Sequence, residues 1–135
     1  MILRSLLIVT SLFVTLESAV AWGPTGHRVV GEVAQRYLDR SAEKGLEKLV
    51  GKEGLGMMAN WPDFIKSDRS FDYAQPWHYV TIPEGQTYEQ SEKEPKGDIV
   101  EAIGRMINIL KDKHESKENK IQALKFLVHF VGDIH

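Results

Sequence analysis

The 135-residue chain contains no cysteine, so disulfide bonds cannot contribute to its stability. It also has no excess of charge of one sign, since 17 Lys and Arg oppose 19 Asp and Glu and leave a net charge of −2. A protein that binds nucleic acid through its own charge needs a basic surface. Stability must therefore come from an apolar core, a bound metal or both. Positive charge facing a phosphoester would have to come from bound cations.

Long apolar stretches are absent except in the first 21 residues. After a short basic start, residues 5–16 are apolar, and Ala19-Val20-Ala21 is an A-x-A cleavage site. A membrane anchor is the alternative, but a span needs about 20 apolar residues and Glu17 interrupts this one. We therefore predict a signal peptide over residues 1–21. The mature chain would be secreted or periplasmic, begin at Trp22 and have no membrane attachment.

The composition of the full chain, 42% hydrophobic and 27% charged, is that of one ordinary globular domain, and the periodicity after residue 21 predicts an all-α fold. We expect a helix over residues 25–40 with Thr25 as N-cap, and a short second helix capped by Ser41. Polar residues and turn formers predict a loop over residues 66–97, except for a buried extended run at residues 77–82. Two further helices are expected, over residues 98–113 and from near residue 119.

The last helix is apolar on nearly every side, which predicts that it is buried. Its main stripe is expected to comprise Ile121, Leu124, Leu127, Val128 and Val131, with Phe126, Phe130 and Ile134 pointing elsewhere. The chain then stops at His135 without a helix stop signal, so we expect a fragment. Unpaired aromatic side chains would make such a fragment poorly soluble and inactive.

His129 and Asp133 are the sharpest pair of candidate functional residues. They are four residues apart and so share one face of the last helix. A buried carboxylate is costly unless it is paired or binds a metal, so a core His–Asp hydrogen bond and a metal site remain equal alternatives. His135 lies roughly 160° round the helix from Asp133 and is not expected to join them.

Three other residues could contribute to a metal site. His27 lies five residues after the predicted new terminus. The α-amine of that terminus has a pKa of about 8, so a metal can displace its proton near neutral pH. A lone His there is more often a surface or capping residue. Asp63 could be a turn residue, and His78 a core histidine. Nitrogen and carboxylate ligands without thiolate suit zinc, although manganese or iron remains open.

Four short motifs occur in order: W-G-x-x-G-H at residues 22–27, N-W-P-D at 60–63, W-H-Y at 77–79 and H-F-V-G-D at 129–133. In this order, with the first motif directly at the cleavage site, the chain resembles the zinc-dependent single-strand-specific nucleases of the mung bean nuclease type. These share a multi-helix, all-α fold with zinc-dependent phospholipase C. The resemblance implies that residues 22–135 are the N-terminal part of one nuclease domain, roughly half of a typical member.

The resemblance also implies a cleft that holds three zinc ions. One would be bound by four side chains: Asp63, His78, His129 and Asp133. A second would take the amine and carbonyl of Trp22, with His27, and share Asp133; nothing here matches the ligands of the third. In this family a metal-activated water attacks phosphorus in single-stranded DNA and RNA and leaves 5′-phosphorylated products. Asp63, Lys66 and Asp133 are the implied catalytic residues, and the enzyme is expected to be monomeric.

Two further residues match substrate contacts of the family. Lys66 corresponds to a lysine that approaches substrate phosphate, although alone it would pass for a surface lysine. Tyr79 corresponds to an aromatic on which a base stacks, a sequence-tolerant contact, with core packing as the equal alternative. Thr81 stands where several members carry an Asp that reads a base edge, which leaves base preference open. A phospholipase C and a non-catalytic exported metal-binding protein remain the alternative functions.

Overall fold

The computed structural model describes residues 23–135, so the predicted signal peptide and the predicted ligand Trp22 lie outside the described residues. In this range the chain forms six α-helices: α1 Pro24–Arg36, α2 Arg40–Val50, α3 Leu55–Met58, α4 Trp61–Phe64, α5 Ile99–Lys111 and α6 Lys117–Asp133. Two 3₁₀ stretches, Ile65–Ser67 and Arg69–His78, follow α4. No strand occurs between residues 23 and 135, and the predicted all-α class is confirmed.

The first two helices begin earlier than predicted. In α1, Pro24 occupies the first turn after Gly23, and Thr25 is not the N-cap. Proline suits this position because its fixed φ is helical and its missing N–H would be unpaired there anyway. Helix α2 begins after Asp39, whose carboxylate accepts from the backbone N–H of Ser41 at 2.8 Å, so Asp39 is the cap and Ser41 is not. Both predicted caps were wrong because a stronger signal stood one or two residues upstream.

The last two helices begin close to where the sequence predicts. Asp98 caps α5 by accepting from the backbone N–H groups of Val100 and Glu101, as expected. Helix α6 is capped by Ser116, whose hydroxyl accepts from the backbone N–H of Asn119 at 3.1 Å. These caps fix where both helices begin by pairing backbone N–H groups of the first turn.

Helix α6 buries a different face from the one predicted. Phe126 and Phe130 are 2% and 0% exposed, whereas Val131 of the predicted main stripe is 37% exposed. The expectation that the two phenylalanines would be unpaired was therefore wrong, although Ile134 is exposed as expected. The buried residues of α6 are Ala123, Phe126, His129, Phe130 and Gly132.

The core lies between α5, α6 and the 3₁₀ stretch Arg69–His78. Phe126 is at its centre, with ring centroids 5.4 Å from Trp61, 5.9 Å from Trp77 and 5.3 Å from Phe130. The buried members of this core are Ala74, Trp77, Ile99, Ala102, Met106, Ala123, Phe126 and Phe130. It fixes α6 against the 3₁₀ stretch, and therefore His129 against His78.

The predicted buried extended run at residues 77–82 is only partly correct. Trp77 is buried and its Nε1–H donates to the carbonyl of Lys96 at 2.8 Å, but it belongs to the 3₁₀ stretch. From Tyr79 onward the backbone is extended, yet Tyr79 is 57% exposed and Ile82 is exposed too. Core packing of Tyr79, one of the two alternatives, is therefore wrong. Among the described helices none is long and apolar enough to cross a membrane.

Candidate metal centre

His129 and Asp133 face the same side of α6, one turn apart. His129 is fully buried, and its Nε2 lies 3.1 Å from Oδ2 of Asp133. On its other side, the Nδ1–H of His129 donates to the carbonyl oxygen of Ala59 at 2.7 Å. This bond assigns the proton of the neutral ring to Nδ1 and leaves a lone pair on Nε2, directed at the carboxylate. Ala59 follows α3, so this helix sets the histidine's tautomer.

The 3₁₀ stretch brings a second histidine to the same carboxylate. His78 is its last residue, and its Nδ1 lies 2.8 Å from Oδ2 of Asp133 and 3.1 Å from Nε2 of His129. Three atoms that could bind a metal, Nδ1 of His78, Nε2 of His129 and Oδ2 of Asp133, therefore lie within 3.1 Å of one another. The edge-on packing of the His78 ring against Phe130, with centroids 5.3 Å apart, holds this orientation.

Helix α1 supplies a third histidine on the opposite side of Asp133. His27 is 1% exposed, and its ring stacks on that of His129 with centroids 4.0 Å apart. Its Nε2 lies 3.3 Å from Oδ1 of Asp133 and 3.9 Å from Oδ2 of Asp63. The two carboxylate oxygens of Asp133 thus face different histidines, which is the geometry of a carboxylate able to bridge two cations.

Asp63 completes the cluster from the short helix α4. Its Oδ1 lies 3.6 Å from Nε2 of His129 and 2.6 Å from Nζ of Lys66, one turn further along the chain. The Lys66 ammonium is about half exposed, so it reaches from the surface to the edge of the cluster. It is the one cation paired with these carboxylates within residues 23–135.

The pKa values of Asp133 and His27 are shifted in the direction that favours metal binding. Burial opposes ionisation of Asp133, but when the His129 and His78 rings are protonated the hydrogen bonds they donate and their positive charge outweigh burial and hold the pKa of Asp133 well below its usual range. Burial, and then the neighbouring His129, lower the pKa of His27 despite the opposing charges of Asp133 and Asp63. Ionised carboxylates and neutral imidazoles are the forms that bind metals.

The distances between the nitrogen and oxygen atoms of the cluster can be compared with the distances between the ligands of a tetrahedral zinc ion. Two nitrogen or oxygen ligands about 2.0 Å from zinc lie about 3.3 Å apart. Contacts of 3.1, 3.3 and 3.6 Å among His129, His27 and the two carboxylates are close to that value. Two overlapping groups each offer three ligand atoms that lie within 4.8 Å of one another: His27, Asp63 and His129, and His78, His129 and Asp133. The residues of this cluster therefore fit the binding of a divalent metal ion.

The structure brings five of the six predicted metal ligands together: His27, Asp63, His78, His129 and Asp133. The sixth, Trp22, lies outside the described residues. Lys66 adjoins the cluster, whereas Tyr79 follows His78 and is 57% exposed. His135 is exposed and belongs to neither group of candidate ligands in the described part of the chain. The carbonyl of Ala59 could not be found from sequence, because a backbone acceptor leaves no side-chain signal.

Comparisons with known proteins identify the family to which the chain belongs. The family model described as S1/P1 Nuclease matches residues 22–135. The chain is 32% identical to Endonuclease 3 of Arabidopsis thaliana, over 97% of this chain and 47% of that protein. It is 29% identical to Nuclease S1 of Aspergillus oryzae (84% and 42%) and 28% identical to Nuclease P1 of Penicillium citrinum (84% and 45%).

The chain spans about half the length of the curated relatives it matches. The match nevertheless covers all the described residues, including every member of the buried His–Asp cluster. By its sequence and by its all-α fold, the chain belongs to the S1/P1 nuclease family.

Proposed function

We propose that residues 22–135 are the N-terminal part of a single nuclease domain that uses zinc to hydrolyse phosphodiester bonds. The observation that carries this proposal is Asp133, whose Oδ1 faces His27 and whose Oδ2 faces His78 and His129. A core salt bridge would need one histidine, whereas three histidines and a second carboxylate around one point suit cations. Membership of a family described as nucleases supports the same reaction class.

Two ions would be held by different parts of the cluster. His78, His129, Asp63 and Oδ2 of Asp133 would hold the first ion, and His27 with Oδ1 of Asp133 would contribute to the second; the short distances among these atoms support this division. The amine and carbonyl of Trp22 would complete the second set. Bound zinc would supply a Lewis acid that lowers the pKa of water and neutralises charge developing on a phosphate. The carbonyl of Ala59 holds the proton of His129 on Nδ1, so the lone pair of Nε2 is free to bind a metal.

The chain's own contribution to substrate binding would come from Lys66 and Tyr79. Lys66 is the exposed cation at the edge of the cluster and would exchange its contact with Asp63 for a phosphate oxygen. Tyr79 immediately follows the ligand His78 and offers an exposed ring on which an unpaired base can stack. Stacking needs a base free of its duplex, so this arrangement favours single-stranded DNA and RNA, with 5′-phosphorylated products as in the family.

Export is part of the same proposal. Cleavage of residues 1–21 would free the α-amine of Trp22, and the mature enzyme would act as a secreted or periplasmic monomer. A backbone amide in an uncleaved chain is not basic and could not bind the second ion.

The test is to measure zinc content and hydrolysis together in the full protein. We expect at least two zinc ions per chain and zinc-dependent cleavage of a single-stranded oligonucleotide, with slower cleavage of the same sequence as a duplex. His114→Ala, which removes an exposed histidine between α5 and α6, is the matched control and should change neither. Hydrolysis of phosphatidylcholine in preference to the oligonucleotide would contradict the proposal. Stoichiometric zinc without hydrolysis of either substrate would favour a metal-binding protein.

A further inference from the structure

Gly132 lies between the face of α6 that carries the ligands and the ring of His27. It is buried, and a Cβ added to it would lie 2.7 Å from Nδ1 and 3.2 Å from Cε1 of His27. The first distance is well inside van der Waals contact, so any side chain at this position would displace the His27 ring. The imidazole can occupy its present position only because residue 132 has no side chain.

The orientation of the His27 ring depends on packing more than the orientation of the His129 ring does. His129 is anchored by the hydrogen bond from Nδ1 to Ala59. The corresponding Nδ1 of His27 is buried and has no hydrogen-bond partner among residues 23–135. The ring is instead held by its stack on His129, at 4.0 Å, and by the surface of Gly132 on which Nδ1 rests. Metal-binding histidines are normally oriented through their second nitrogen, and here steric contact would replace that bond.

Other helical glycines show that this contact is not a general property of the fold. Gly104 in α5 and Gly45 in α2 have nothing within 4 Å of an added Cβ. Gly31 in α1 is also tightly packed, but its Cβ would meet the backbone of Leu55 and Gly56, which is a contact between helices. Among these glycines, Gly132 is the one whose added Cβ would meet a candidate metal ligand.

We infer that Gly132 is a positioning residue for the metal centre, which seats His27 so that Nε2 points at the bridging carboxylate of Asp133. The inference rests on the proposed function, because it concerns the same ions. In Gly132→Ala the His27 ring must move by roughly 0.8 Å to reach ordinary contact with the new methyl group. Movement away from Gly132 would disturb either the stack on His129 or the 3.3 Å approach of Nε2 to Asp133.

The substitution is expected to leave the chain folded. Alanine is a better helix former than glycine by about 1 kcal/mol, and the obstacle it meets is a side chain and not backbone, so the helix gain offsets part of the cost of moving the ring. We therefore expect the metal-free unfolding temperature of Gly132→Ala to stay close to that of the wild type. The affinity for the ion that uses His27 should fall about 10- to 100-fold, as when an orienting partner of a metal ligand is removed. A purely structural role for Gly132 predicts that the two quantities fall together.

The experiment uses the full protein as wild type, Gly132→Ala and the matched control Gly104→Ala, which adds the same methyl group to a helix in open space. Zinc affinity is measured by titration against a competing chelator, and unfolding is followed with the metal removed. In the metal-free protein, NMR also measures proton contacts between the His27 and His129 rings, which should weaken in Gly132→Ala alone. In a His27→Ala background, Gly132→Ala should have no further effect on zinc affinity.

The outcomes separate this inference from the proposed function. Zinc binding by the wild type with unchanged affinity and ring contacts in Gly132→Ala would overturn the inference and leave the proposed function intact. The same would follow if Gly132→Ala weakened zinc binding equally with and without His27. A wild-type protein that binds no zinc at all would overturn both.

Discussion

Oδ1 of Asp133 lies 3.3 Å from Nε2 of His27, although the two residues belong to the last and first helices of the described chain. The other oxygen, Oδ2, is engaged by His78 at 2.8 Å and by His129 at 3.1 Å. This single carboxylate therefore joins both halves of the candidate centre. Its removal should affect two ions, whereas the loss of any one histidine should affect mainly one.

We predict that Asp133→Asn lowers the zinc content of the full protein by more than one ion per chain. The amide keeps the shape of the side chain but removes the charge that two cations would share. Metal content after dialysis, measured by elemental analysis, checks the prediction. Asp72→Asn, an exposed carboxylate on the 3₁₀ stretch, is the control and should retain all its zinc. A loss of one ion or fewer would show that Asp133 does not bridge.

A second prediction concerns the free N-terminus. His27 lies in the first turns of α1, five residues after Trp22, so a freed α-amine could come within reach of the same ion. A cytoplasmic variant that starts with Met before Trp22 should bind one zinc fewer and lose most of its activity. Equal zinc content and equal cleavage rates in the extended and processed forms would exclude the N-terminal amine as a ligand.

A third prediction concerns acid stability without metal. The pKa of His27 lies below its ordinary value of 6.5, so the unfolded chain takes up this proton at a higher pH than the folded chain. The free energy of unfolding should therefore fall as the pH drops below about 6.5, by at most about 1.4 kcal/mol per pH unit from this group.

Urea unfolding between pH 7 and pH 5, in the presence of a chelator, measures this dependence. His27→Gln should flatten it because glutamine does not titrate, and His114→Gln, which changes an exposed histidine, should leave it as in the wild type. A dependence that is equally steep in all three proteins would assign the acid sensitivity to other groups.

The sequence was sufficient for the fold class, because that depends on helical periodicity, whereas the set of clustered His and Asp residues was implied by the resemblance to the nuclease family and not by spacing alone. His129 and Asp133 share a face of α6 as the four-residue spacing requires. The sequence did not predict which face of α6 is buried, because apolar residues occur on nearly every side of this helix. The buried face is determined by aromatic rings from elsewhere in the chain, because Trp61 and Trp77 pack on Phe126.

The buried face of α6 gives a fourth prediction. Phe126→Ala should lower the free energy of unfolding by about 3–5 kcal/mol, because it leaves a cavity among three aromatic rings. Val131→Ala, on the face that the sequence favoured, should cost less than about 1 kcal/mol because that side chain is partly in solvent. Urea unfolding with metal removed compares the two. A larger loss for Val131→Ala would mean that α6 is rotated toward the stripe predicted from sequence.

The sequence also could not predict contacts that depend on a backbone atom, as at Ala59, or on the lack of a side chain, as at Gly132. The carbonyl of Ala59 fixes the tautomer of His129, yet any residue type would supply the same atom. Gly132 carried only a weak signal, since glycine within a helix costs about 1 kcal/mol relative to alanine. The sequence could not say which neighbour required it, because His27 comes from the opposite end of the described chain.

A fifth prediction separates metal binding from substrate binding. Lys66 lies with its ammonium 2.6 Å from Oδ1 of Asp63 and half in solvent, so it can release the carboxylate and contact a phosphate. Lys66→Met keeps most of the aliphatic stem and removes the charge. We expect zinc content to be retained, because the substitution removes a cation that competes for Asp63, while single-stranded DNA binds more weakly.

The salt dependence of binding identifies the cause of that weakening. Each phosphate contact contributes about 0.7 to the slope of log K against log salt for single strands, so Lys66→Met should reduce the slope by about that amount. Fluorescence anisotropy with a non-hydrolysable oligonucleotide at several salt concentrations measures it. Lys44→Met, on the exposed face of α2, removes the same charge elsewhere and should leave the slope unchanged. An unchanged slope in Lys66→Met would mean that this lysine does not contact phosphate, and that its role is confined to neutralising Asp63 in the metal-free protein.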